Sequence, residues 1–366
     1  MTIGQIIDKL EQFAPPALQE SYDNAGLITG KKSGNCSGVL IALDATLAVL
    51  EDAHRQGCNL VVAHHPIVFS GLKRLNGANY IEDCIIFAIK HDIAIYAIHT
   101  NLDNVIAGVN GKIASILELQ EIKILSPKPN QLCKLVSFVP TAFTDSVLNA
   151  LFSAGAGTIG NYRECSYRHE GIGSFLPESS AQPFVGEKGK RHLEPEDRIE
   201  VVVPTPISQT VIAALKEAHP YEEVAFDLIP LQNQHPLIGS GIIGQLAEPI
   251  SELIFLQQLK DKFGLSIIRH TRLLNKPIQK IAVCGGAGSF LTKTAMAAGA
   301  DIFITGDMKY HEFFDANDRM IIADIGHFES EQYTIDLLFD ILNENFPTFA
   351  VLKTRVNTNP VHYFGV

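Results

Sequence analysis

The sequence predicts two related α/β halves interrupted by a ferredoxin-like α+β insertion. Three observations predict it. Short, almost continuously apolar runs alternate with amphipathic stretches at both ends of the chain, the pattern of a parallel sheet covered on both faces. A different pattern fills the middle, where Val139-Pro140-Thr141 recurs as Val203-Pro204-Thr205. Pro- and Asn-rich segments, SPKPN (126–130) and LQNQHPLIG (231–239), separate the two patterns. The expected domains are therefore 1–126, an insertion over 127–235, and 236–366.

Taken in order, Thr2 is a plausible N-cap for a helix running to about Phe13 and stopped by Pro15-Pro16. VLIALD (39–44) and NLVVAHHP (59–66) read as buried strands flanking a helix over 46–57. A helix over 80–92 leads into IAIYAIHTNLD (93–103). In the middle, Val147, Ala150, Leu151 and Ala154 recur 64 residues on as Val211, Ala214, Leu215 and Ala218. Each copy reads strand, Pro-Thr turn, helix, strand, and two such β-α-β units in tandem make a ferredoxin-like module. The rhythm of the first half returns in KIAVCGGAGS (280–289), a helix over roughly 290–298, ADIFITGD (300–307), HEFFDAND (311–318) and RMIIADIGH (319–327), with a last helix starting near Glu329.

Of the 366 residues, 46% are hydrophobic and 19% charged, enough apolar surface for a sizeable core. The formal net charge of −11 opposes general binding to nucleic acid or to anionic membranes. No apolar run reaches the ~18 residues that a membrane span needs. The start, MTIGQIIDKLEQFAPP, lacks a signal peptide's basic segment. The six cysteines lie far apart and mostly in apolar stretches, as buried thiols of a reducing compartment do, so a cytoplasmic location is expected.

The residues with metal-ligand chemistry fall at strand ends, where ligands bind in open parallel sheets. His64-His65 closes one strand and His99-Thr100-Asn101-Leu102-Asp103 follows the next. Each has a plainer reading, His64 or His65 as a hydrogen-bonded core residue and Asp103 as a turn or capping carboxylate. His99 reads as a group that orients a ligand. His327 and Glu331 are one helical turn apart if the last helix begins there, so they share a face; Glu329 points elsewhere and favours the helix N-terminus electrostatically. Asp307 and His311 have the same spacing and are rivals for the ligand role or cleft-lining groups. The turn Cys284-Gly285-Gly286-Ala287-Gly288-Ser289 could cradle a phosphate with its amides, and tight packing explains it equally well. Three histidines and two carboxylates suit two sites of mixed N and O ligands in one cleft, for Zn, Mn, Fe or Co.

AHHP (63–66), HTNLD (99–103) and GHFESE (326–331), with Tyr22-Asp23-Asn24-Ala25-Gly26-Leu27, CGGAGS and TGDMKYH, resemble the Nif-three-like family, the GTP cyclohydrolase I type 2 homologs. The middle, with His219-Pro220-Tyr221-Glu222-Glu223-Val224, is similar to the insertion of the longer bacterial members, a PII/CutA-like domain. The resemblance implies two divalent metal ions per chain, held by His64, His65, Asp103, His327 and a bridging Glu331. It also implies a homo-hexameric ring with the sites facing an internal cavity. The activity expected is metal-dependent hydrolysis of a nucleotide-like small molecule, with His99, His311 or Glu329 as general acid or base. The alternative is a non-enzymatic, metal-dependent binding or regulatory protein. No serine or cysteine nucleophile motif is present, and a nucleic-acid-associated ring is disfavoured by the charge.

Overall fold

The computed structural model describes residues 1–364, which divide into two units, Met1–Pro127 with Leu237 onward, and Lys128–Pro236. The first unit contributes β1 (Gly26–Thr29), β2 (Val39–Asp44), β3 (Leu60–His65), β4 (Ala94–Ala97) and β5 (Gln120–Pro127). The second holds β6 (Leu132–Pro140), β7 (Ser166–Phe175), β8 (His192–Pro204) and β9 (Phe226–Pro230). The first then resumes with β10 (Gly239–Ile250), β11 (Arg269–His270), β12 (Ile278–Ala287), β13 (Ile302–Gly306), β14 (Ile321–Asp324) and β15 (Val351–Lys353).

Local chemistry fixes the helix starts. Thr2 and Gln5 form a reciprocal capping box on the helix Ile3–Phe13, while Thr46 and Asn79 cap Leu47–Arg55 and Tyr80–Lys90 through their side chains. The first unit builds two sheets. One has the order β1-β4-β3-β2-β15 and is parallel except for β1; the other runs β11-β14-β13-β12-β10-β5, with only β12, β13 and β14 mutually parallel. Alternation along β2 decides what each face buries. Val39 and Ile41 join an apolar cluster that also holds Ile281, Val283, Ile302 and Ile304 of the second sheet, whereas Leu40 and Ala42 pack against the helices at 47–55 and 80–90.

The parallel sheets expected from the sequence thus have parallel centres with antiparallel edges. β10 pairs with both β5 and β12, although its Gly239, Gly241, Gly244 and Pro249 read locally as turn residues. Pairing on both sides outweighs weak strand propensity. The last strand also crosses between the halves: β15 lies parallel to β2 in the first sheet.

The second unit is a single antiparallel sheet of order β7-β8-β6-β9, with the helices Thr144–Ser153 and Ser208–Ala218 packed on Leu135, Val139, Ile199, Val201 and Val203. Its chain order is β-α-β-β-α-β. All six cysteines are free thiols, five of them buried. No helix among the described residues is long and apolar enough to cross a membrane.

Candidate metal centre

The carboxyl ends of β2, β3, β4, β13 and β14 supply one polar cluster in the first unit, packed against the glycine-rich end of β12. β3 delivers His64 and His65. His64 is fully buried, and its Nδ1 lies 2.8 Å from the Ile98 carbonyl. A carbonyl only accepts, so Nδ1 is the donor, and in the neutral ring Nε2 keeps its lone pair. His65 is one residue on, with its ring 4.8 Å from that of His64 and its Nδ1 2.8 Å from Asp44 Oδ1 at the end of β2. Its Nε2 lies 3.0 Å from Glu331 Oε2 and 3.2 Å from His327 Nε2.

Beyond β4 the chain forms a one-turn helix, Thr100–Asp103. The reason is local bonding: the His99 amide donates to Asn101 Oδ1, and Asn101 Nδ2 donates to the Ala14 carbonyl. Asp23 ties the same turn down, taking His99 Nδ1 at 2.9 Å and the Thr100 amide at 3.1 Å. Despite burial, which opposes charge, these hydrogen bonds hold the Asp23 carboxyl down at about 2. The turn brings Asp103 Oδ1 to 3.7 Å from His64 Nε2.

On the other side a short helix, His327–Glu331, places both residues on one face, as their spacing predicts. His327 Nδ1 lies 2.7 Å from Asp307 Oδ2, and its Nε2 lies 3.0 Å from Glu331 Oε2. Glu331 Oε1 faces His64 Nε2 at 3.8 Å. Gly286, at φ +60°, makes room for that carboxylate: a Cβ there would come within 2.4 Å of Oε1. The glycine-rich turn therefore serves close packing. Three of its amides are already taken, Gly285 by Asn110, Gly286 by Ser330 and Gly288 by Thr305, which leaves them no phosphate to cradle.

Three groups of His, Asp and Glu among the described residues could hold a metal ion: His64, Asp103 and Glu331; His65, His327 and Glu331; and His64, His65 and His99. The chemistry of the donor atoms fits a cation. His64 Nε2 and Asp103 Oδ1 are buried without a hydrogen-bond partner among the described residues, a costly arrangement unless something positive lies between them. Each histidine also has its other ring nitrogen fixed by an acceptor, the support that metal-binding imidazoles normally have. The electrostatics agree. Enclosure and the neighbouring Glu331 push Asp103 up to about 7, while Asp44 and Glu331 raise His65 to about 10 against the effect of burial. Glu331 and Asp307 likewise raise His327 to about 9.

His64, His65, Asp103, His327 and Glu331 thus come together, with His99 beside the first two. His311 and Glu329 belong to none of the three groups. His311 is exposed and packs between the rings of Tyr310 and Phe314, and Glu329 accepts from Asn359 Nδ2 at 3.0 Å. Asp307 is a partner of His327, and not a member of a group itself. Sequence reasoning missed Asp44 and did not single out Asp23. Asp44 ends an apolar strand just as His65 does, and that position was the available signal.

A family model described as Duf34/NIF3 (NGG1p interacting factor 3) matches residues 1–360. A GTP cyclohydrolase 1 type 2 homolog of Halalkalibacterium halodurans is 38% identical over 360 residues, 97% of each chain, and one from Bacillus subtilis is 38% identical over 365 residues. The crystal structure of a Bacillus cereus protein related to NIF3 superposes with a TM-score of 0.88 at 35% identity, covering 100% of this chain and 99% of the other. Matched along nearly its whole length by the family model and by these relatives, the chain belongs to the DUF34/NIF3 family.

Proposed function

We propose that this chain is a dinuclear metal-dependent hydrolase that acts on a nucleotide-like small molecule. The observation that carries the reading is the division of Glu331 between two donor sets. Its Oε1 faces His64 beside Asp103, and its Oε2 faces His65 and His327. A carboxylate shared in this way suits two neighbouring ions, one held by His64, Asp103 and Glu331 and the other by His65, His327 and Glu331. Mixed imidazole and carboxylate donors suit Zn, Mn, Fe or Co. Two such ions would supply a water activated at neutral pH and polarise the bond it attacks.

The chain's own residues supply the rest. Asp44, Asp307 and the Ile98 carbonyl hold the ring orientations of His65, His327 and His64. Of the groups considered for proton transfer, His99 has the best position: its ring lies 5.3 Å from that of His64 and 5.4 Å from that of His65, and Asp23 fixes its Nδ1. The relatives' name, GTP cyclohydrolase 1 type 2 homolog, adds a purine nucleotide as the first substrate to try. The resemblance adds a homo-hexameric assembly, which native mass measurement tests.

The deciding experiment measures metal per chain on protein purified without chelator, beside a hydrolysis screen over GTP, other nucleotides and simple phosphoesters. About two equivalents of a transition metal, with turnover lost in Glu331→Ala, is the expected result. Less than one equivalent under replete conditions overturns the reading. Two equivalents without turnover replaces it by metal-dependent binding or regulation.

A further inference from the structure

The second unit contains a cavity of about 700 Å³, within the range of small-molecule sites. It lies on the sheet face opposite the helices. Along β8, Ile199, Val201 and Val203 turn to the apolar core under the helices, while Glu196 and Arg198 point the other way and line the cavity. Four aromatic side chains, Phe138, Phe175, Phe184 and Tyr221, form its apolar wall. The Tyr221 ring centroid is 5.8 Å from that of Phe175 and 6.3 Å from that of Phe184.

The charge of the lining is predominantly negative. Glu170, Glu178, Glu196, Glu222 and Glu223 border the space, against a single arginine among the described lining residues, Arg198, which is engaged 3.0 Å from Glu200. Glu196 is the deepest of these at 8% exposure. Its Oε1 accepts from the Tyr221 hydroxyl at 2.9 Å, and Oε2 accepts no hydrogen bond from the described residues. Gly173 gives this carboxylate its place, since a Cβ there would fall 2.0 Å from Oε2. Burial pushes Glu196 above the ordinary carboxylate range, and a cation beside it would relieve that cost.

We propose that this cavity binds a small organic cation, an ammonium group carried on an apolar or aromatic body. The ammonium sits beside Glu196 Oε2 and against the rings of Tyr221, Phe175 and Phe184, and the apolar body fills the rest. Rings attract a cation through their negative faces, most strongly where water is excluded. Anionic ligands such as nucleotides meet the wrong charge here. A bare metal ion lacks its donors, because no three His, Cys, Asp or Glu ligand atoms converge there among the described residues. This site is independent of the proposed hydrolase chemistry.

The test titrates the full-length chain with phenethylammonium, phenethyl alcohol and phenylacetate, probes of similar size and different charge, by calorimetry and ligand-observed NMR. The cation is expected to bind about tenfold more tightly than the alcohol, with the anion weakest. Glu196→Gln, close to isosteric, should reduce that preference to about unity. Phe184→Ala, at a half-exposed ring, should weaken the cation and the alcohol alike. Equal affinities for cation and alcohol, a preference that survives Glu196→Gln, or binding unchanged by Phe184→Ala would each overturn the proposal. Absence of saturable binding also overturns it, and is the result expected if a second copy of the chain covers this face.

Discussion

The two units handle buried charge in opposite ways. In the first, five potential ligands converge and each histidine is held from behind: His65 by Asp44, His327 by Asp307 and His64 by the Ile98 carbonyl. Two polar atoms at its centre, His64 Nε2 and Asp103 Oδ1, nonetheless lack partners. In the second, one carboxylate, Glu196, is held by one hydroxyl among aromatic rings. Dense support around unsatisfied polar atoms suits a strongly coordinating ion. Sparse support in an apolar hollow marks a site for a soft, bulky ligand. The comparison can be broken by removing support on either side.

The largest effect is expected from His64→Ala combined with Glu331→Ala. This pair takes a donor from the first set and the shared carboxylate from both, so metal content should fall to background while far-UV circular dichroism is retained. Full occupancy in the double variant would sink the assignment of these residues. Next come Asp44→Asn and Asp307→Asn, which leave every donor in place and weaken only what stands behind His65 and His327. Loss of such a partner typically costs about 10–100-fold in metal affinity. Competition against a chromophoric chelator measures it, and unchanged affinity in both variants would show that the rings are positioned by packing alone.

Much of the centre was legible because its chemistry sits at strand ends. A run such as Leu60–Ala63 must be buried, so the polar His64-His65 that ends it demands a reason, and His327 and Glu331 one turn apart give the same signal. Asp23 was harder to assign a role, because its partners His99 and Thr100 lie more than 70 residues away and no local pattern encodes the contact. β10 escaped for a related reason, its glycines being tolerated only because strands pair on both sides. The cavity in the second unit was not legible. Gly173 and Glu196 lie on separate strands and neither stands out until β7 and β8 pair, and the segment that holds Tyr221 gives no local sign of its bond to Glu196, 25 residues away.

Asp23 gives an intermediate effect, and it depends on pH. Its carboxyl titrates near 3.8 when unfolded and at about 2 in the fold, so it stabilises the fold above pH 4, and that contribution is lost as pH falls toward 2. Asp23→Asn should cost about 1–2 kcal/mol at neutral pH, allowing for partial solvent screening. The gap to the parent should close between about pH 4 and pH 2 in urea unfolding of chelator-treated protein. A gap that stays constant with pH would mean that Asp23 acts through shape and not through charge.

The smallest effect sharpens the comparison from the other side. Tyr221→Phe keeps the ring and removes the hydroxyl that donates to Glu196 Oε1. One hydrogen bond to a carboxylate at the edge of a cavity contributes about 1 kcal/mol, so amide exchange along β7 and β8 should quicken by roughly fivefold. Metal content should not change, since no member of the three candidate metal groups and no hydrogen-bond partner of their histidines lies in the second unit. The same substitution leaves the Glu196 carboxylate with no donor among the described residues, so it depends more heavily on whatever cation enters the cavity. Phenethylammonium should therefore protect the β7–β8 amides more in the variant than in the parent. Equal protection in the two would place the cation away from Glu196.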